Sequence, residues 1–183
     1  MKVLYQANFF LGEKNNKNIK DFKFLEDAEK SSIIKFVYKV ENGIELCGTN
    51  KKSDNCFNYN QKNIIKRYNV FHYHVNFKSV CNNLNCLLKH KCLDITTEKN
   101  NYSSSEVIHY MLDVNKNIII ILAYSPIHDN GFFPKFYENP LLQRLKSNLN
   151  IEHQTFMDFL DYCTQNSLNA TISSLSNYIK KQC

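Results

Sequence analysis

Tryptophan is absent from the 183 residues, glycine occurs four times, proline three times and arginine twice. The glycines (Gly12, Gly43, Gly48 and Gly131) contain no pair at the spacing of a phosphate-cradling loop, which argues against P-loop and Rossmann nucleotide-binding domains. With Arg67 and Arg144 the only arginines, the formal charge of +6 is carried almost entirely by lysine. That balance permits a nucleic-acid or acidic-protein partner without demanding one. No stretch approaches the length of a membrane-spanning helix. Near the N-terminus, Lys14 and Asn15-Asn16 end the segment around Phe9-Phe10 before it reaches signal-peptide length. The seven cysteines are odd in number and scattered, as free thiols in a reducing compartment would be. The expectation is a cytoplasmic protein with no membrane partner.

What is present is ordinary for a globular chain. Hydrophobic residues make up 43% and charged residues 22%, so one domain with a real core and some accessory structure is affordable at this length. The abundance of Asn and Lys reads as AT-rich coding bias. From Phe24 to Glu41, Leu25, Ala28, Ile33, Ile34, Val37 and Val40 recur at mostly helical spacing, and Asn42-Gly43 stops the helix. Three strands are expected, at about 70–77, 106–112 and 117–124, with Asp113-Val114-Asn115-Lys116 joining the last two as a hairpin. The third is apolar on both faces, so it belongs in the middle of a sheet or covered on both sides. A long polar insert, 78–104, separates the first two. After Pro126 and Pro134, Asn139-Pro140 reads as a helix start. Two further amphipathic stretches, Ile151–Gln165 and Ser167–Lys180, read as an appended helical hairpin. Residues 1–20 hold a short apolar piece read as a strand.

Histidine is placed where chemistry is possible. In Phe71-His72-Tyr73-His74-Val75 the alternation of a strand puts His72 and His74 on one face and the apolar residues on the other. His109 lies on the next strand, and His128 follows the third strand in Ser125-Pro126-Ile127-His128. Imidazole is the side chain best suited to moving protons near neutral pH. A lone strand histidine is more often a hydrogen-bonded structural residue than a catalyst; here the ordered set is what raises the functional reading. A second cluster, Cys81, Cys86, His90 and Cys92, has ligand types suited to tetrahedral zinc. Its spacing is not that of a common finger, and Leu84, Leu87, Leu88 and Leu93 suggest a short amphipathic helix with partly buried thiols instead. Lys51-Lys52 can touch phosphates or simply form a solvated face.

Three segments carry a resemblance to a known family. They are Phe36-Val37-Tyr38-Lys39-Val40-Glu41-Asn42-Gly43 with the following Gly48, then Val70-Phe71-His72-Tyr73-His74-Val75, then Ile120-Ile121-Leu122-Ala123-Tyr124-Ser125-Pro126-Ile127-His128. In this order the chain, over roughly residues 20–149, resembles the RelE/ParE superfamily of bacterial toxins, and most of all the YafO-type toxins. The resemblance implies an α+β fold, a small antiparallel sheet with an N-terminal helix or helices packed on one face. Here that body would span 1–149, with the insert at 78–104 and a C-terminal helical extension at 150–183. It implies an mRNA-cleaving endoribonuclease, often ribosome-associated, that inhibits translation and is silenced by a cognate antitoxin. Carried over by position, the catalytic residues become His72, His74, His109 and His128, with Tyr137 from the C-terminal segment. Where many relatives have Arg and Lys, this chain has His.

Metal-free RNA cleavage turns the 2′-hydroxyl on the adjacent phosphate and needs a base, an acid for the leaving oxygen, and positive charge for the phosphorane. His74 and His128 are the expected acid/base pair, with His72 and His109 orienting groups or binding phosphate. Lys51 and Lys52 would contact RNA, and Phe133 would stack a base. No cofactor or catalytic metal is expected, the cysteine cluster being the zinc alternative. The rival function is a non-catalytic protein-interaction module on the same fold, or a small zinc-stabilised binding protein.

Overall fold

A computed structural model describes residues 1–16, 18–44, 50–52, 68–75, 106–127 and 140–182, with backbone alone at 50–52 and 140. Among the described residues six strands form one sheet: β1 Lys2–Gln6, β2 Asn50–Lys52, β3 Val70–His74, β4 Val107–Asp113, β5 Ile118–Ser125 and β6 Asn150–Glu152, in the order β2-β3-β4-β5-β1-β6. The helices are α1 Ala7–Phe10, α2 Asp27–Glu41, α3 Pro140–Leu145, α4 His153–Gln165 and α5 Ile172–Gln182, with a 3₁₀ turn at Phe22–Phe24.

The α+β class is as expected, and one part of its description needs correction. The sheet is mixed rather than antiparallel, because β1 runs parallel to β5 while β2 to β5 form an antiparallel run and β6 returns antiparallel on β1. A parallel neighbour requires a long crossover, and the chain between β1 and β5 holds α1, α2 and the strands β2, β3 and β4. The apolar run at 118–124 is central, between β4 and β1, and every β5 residue after Ile118 is buried.

Local chemistry sets the element ends. α2 starts later than the periodicity implies because Glu26 is its cap: the Glu29 carboxylate accepts from the Glu26 N–H at 2.8 Å, and the Glu26 side chain caps in return. Gly43, at φ +67°, ends the helix in the left-handed region open to glycine. In the β4–β5 turn the Asp113 carboxylate accepts from the Lys116 N–H at 3.2 Å, and Asn117 adopts φ +56°.

The sheet has a core on each face. On one face, Tyr5, Tyr73, Ile108, Tyr110, Ile119, Ile121 and Tyr124 pack with Phe9 and Phe10 of α1, Ile33, Phe36 and Val37 of α2, Phe156 and Phe159 of α4, and Leu175 of α5. On the other, Val70, Ile120, Leu122 and Ala123 meet Ile19 and the α3 leucines Leu141 and Leu145. The C-terminal segment from residue 150 thus contributes a strand to the sheet and five buried side chains (Ile151, Phe156, Phe159, Cys163 and Leu175) to the first core. Among the described residues no helix is long and apolar enough to cross a membrane.

Candidate functional site

The second sheet face carries the histidines. The pleat of β3 puts His72 and His74 on the side of Val70, while Phe71, Tyr73 and Val75 enter the first core. His109 pairs directly across the strands with His72. The His72 ring lies 5.1 Å from that of His74 and 6.2 Å from that of His109, centre to centre. A β-bulge completes the group. The β4–β5 register shifts between His109 and Tyr110, so Leu122 and Ala123 both face the second core. That extra residue moves Tyr124 to the first core and turns Ser125 to the histidine face, where its hydroxyl is 2.9 Å from His109 Nε2.

All three imidazoles are buried: His72 and His74 are 4% exposed, His109 is fully enclosed, and Ser125 is 1% exposed. A general acid or base must come within hydrogen-bond reach of its substrate, directly or through one water. In this conformation the three rings form an inner layer rather than groups at the protein surface. The backbone register pairs Lys51 with His72 and Lys52 with Phe71, so one cross-sheet row runs Lys51, His72, His109, Ala123. His128, Tyr137 and Phe133 lie outside the described residues, as do Cys81, Cys86, His90 and Cys92.

Two buried polar groups escaped the sequence reading. The first joins three elements: Arg144 of α3 donates from Nη1 to the Leu122 carbonyl at 2.7 Å and from Nη2 to the Asp21 carboxylate, with side chains 4% and 0% exposed. Asp21 also accepts from the Lys14 N–H at 2.6 Å. Burial pushes the Asp21 carboxyl above its usual range, and Arg144 draws it part of the way back. The rarity of arginine was the signal available, and nothing local named its partner 123 positions away. The second lies next to it, where β5 ends and Lys20, beside Asp21, donates its N–H to the Tyr124 carbonyl at 3.0 Å. The buried Tyr124 hydroxyl faces the Glu106 carboxylate, whose pKa burial raises, with Glu29 adding to the shift and Lys20 opposing it. Lys20 Nζ meets Glu29 at 2.8 Å.

Comparison of the chain with protein-family models, with curated proteins and with solved structures finds no match. The likeness to RelE/ParE toxins therefore rests on the three segments that carry it.

Proposed function

We propose that the chain is an RNA-directed toxin of the RelE/ParE type, an mRNA-cleaving endoribonuclease that inhibits translation, acts on or near the ribosome, and is silenced by an antitoxin protein. The observation that carries the reading is the His72–His74–His109 group on one sheet face, with Lys51 in the same cross-sheet row. The order of α2, then the β3–β4–β5 antiparallel run, then the short helix α3 agrees with the element order on which the resemblance was built. Burial divides the roles. The three enclosed imidazoles build and hold the inner wall of the site. Direct proton transfer falls to His128, which follows β5 in the sequence, with Tyr137 beside it in the carried-over set and Lys51, Lys52 and Phe133 as RNA contacts.

One observation favours a second reading, a non-catalytic interaction module: the same burial withholds His72, His74 and His109 from any ligand in this conformation. Controlled expression in a bacterial host without an antitoxin separates the two. The toxin reading predicts arrest of growth and of protein synthesis, relieved by His128→Ala with the protein still soluble. A general acid or base contributes about a hundredfold to ten-thousandfold in rate. Arrest that persists at full strength in His128→Ala moves the chemistry elsewhere, and normal growth with abundant soluble wild-type protein favours the module.

A further inference from the structure

Between the turn that leaves α1 and the helix α3 lies a cavity of about 190 Å³, whose polar lining comes from Asn8, Glu13, Lys14, Asp21, Gln143 and Arg144. None of the histidines borders it. Burial orders the lining: Asp21 and Arg144 form the floor, while Glu13, Lys14 and Gln143 stand exposed around the mouth. Arg144 gives one N–H to the Leu122 carbonyl and one to Asp21, and its remaining donors meet no acceptor among the described residues. The Lys14 ammonium and the side-chain amides of Asn8 and Gln143 are likewise without a partner there. The two carboxylates are already answered. Glu13 pairs with Lys23, and Asp21 holds Arg144 and accepts the Lys14 N–H at 2.6 Å. The side-chain charge of Lys14 is left uncompensated at the mouth.

We propose that this pocket binds a phosphate group, with Arg144 at the floor and Lys14 at the mouth supplying the charge and the Asn8 and Gln143 amides adding donors. Guanidinium and ammonium are the usual phosphate partners, the first by its fixed fork and the second as a point charge. Donors converge from the turn, from α1 and from α3, which suits a tetrahedral oxyanion with oxygens in several directions better than a flat carboxylate. Size agrees: pockets for drug-sized ligands run about 300–1,000 Å³, so this one takes a compact group. The Leu122 carbonyl and Asp21 also fix the Arg144 guanidinium before a ligand arrives, which lowers the ordering cost of binding. Inorganic phosphate and the phosphates of an RNA share this chemistry. The assignment stands apart from the toxin reading, since ion binding is read without growth or RNA cleavage.

The test is calorimetric titration of the full chain with inorganic phosphate and, separately, with acetate at equal ionic strength. The expected result is one saturable phosphate site, with acetate weaker by about tenfold or more. Lys14→Gln keeps the backbone N–H on Asp21 and should weaken phosphate binding about tenfold to a hundredfold, and Gln143→Ala about threefold to tenfold. Lys116→Gln, in the β4–β5 turn, should leave it unchanged. All three positions are exposed, and circular dichroism checks that the variants fold. Two short RNAs of one sequence, with and without a 5′-phosphate, then identify the source by competition with inorganic phosphate. Competition by the phosphorylated RNA alone assigns the pocket to RNA ends, by both to the phosphodiester backbone, and by neither to the free ion. No saturable phosphate binding, acetate bound as tightly, or affinity unchanged in Lys14→Gln overturns the proposal.

Discussion

Arg144 is one of two arginines in the chain, and it is buried against Asp21 beneath the turn that leads out of α1. Removing one partner of such a pair leaves the other charge enclosed and uncompensated, so Asp21→Ala should lower stability by about 3–5 kcal/mol, read from the denaturant midpoint. A loss below about 1 kcal/mol would place the pair among weak surface bridges. Gly12 belongs to the same knot: a Cβ there would lie 2.1 Å from both the Asn8 carbonyl oxygen and Asp21 Oδ2, so the turn has room for glycine alone. Glu106 gives a pH prediction. Its folded pKa is raised by burial, so the folded chain keeps that proton to higher pH than the unfolded chain does. The stability this contributes is complete below the ordinary glutamate value of about 4.3 and is lost as pH rises through the raised value. Glu106→Gln should flatten that part of the stability–pH curve, and equal slopes in the two proteins would contradict it. At this scale the sequence revealed the histidines through their alternation. It concealed Asp21–Arg144 and Tyr124–Glu106, whose members are brought together by the fold.

Elements were legible where one physical cause dominates. Alternation located β3 and β4, the unbroken apolar run located β5 and its central place, and Asn139-Pro140 marked the start of α3. Strict alternation through β5 would have put Ser125 in the first core; the bulge at Leu122–Ala123 reversed this, and an extra residue in a uniformly apolar strand leaves no compositional trace. In α2 the positions Ser31, Lys35 and Lys39, spaced by four, are buried although their types are those of a solvated face. The stripe of Phe156, Phe159 and Cys163 on α4 pointed to burial but not to its partner, which is the first core. Phe156 lies against Phe10 and Phe159, so Phe156→Ala should cost about 3–5 kcal/mol, measured by chemical denaturation. Truncation after Asn150 removes Ile151, Phe156, Phe159, Cys163 and Leu175 from that core together. The expected product is insoluble, and a soluble, cooperatively folding fragment would show that the C-terminal helices are accessory.

For the molecule as a whole, one mixed sheet separates two unequal cores. The larger is aromatic and joins both ends of the chain; the smaller carries the histidine group beside α3. The parallel pairing of β1 with β5 was not legible, since the partners are more than a hundred residues apart and nothing in either strand specifies direction. The candidate site was half legible: the sequence put His72 and His74 on one face and His109 on the next strand, and the structure adds their pairing, their depth and the Ser125 contact. Depth is what splits a catalytic toxin from a binding module on this framework. RNA end-mapping soon after induction in an antitoxin-free bacterial host tests the central claim most directly. The account predicts new, reproducible breaks within coding regions of mRNA that appear with the wild-type chain and fade with His128→Ala. Intact message under abundant soluble wild-type protein would contradict it.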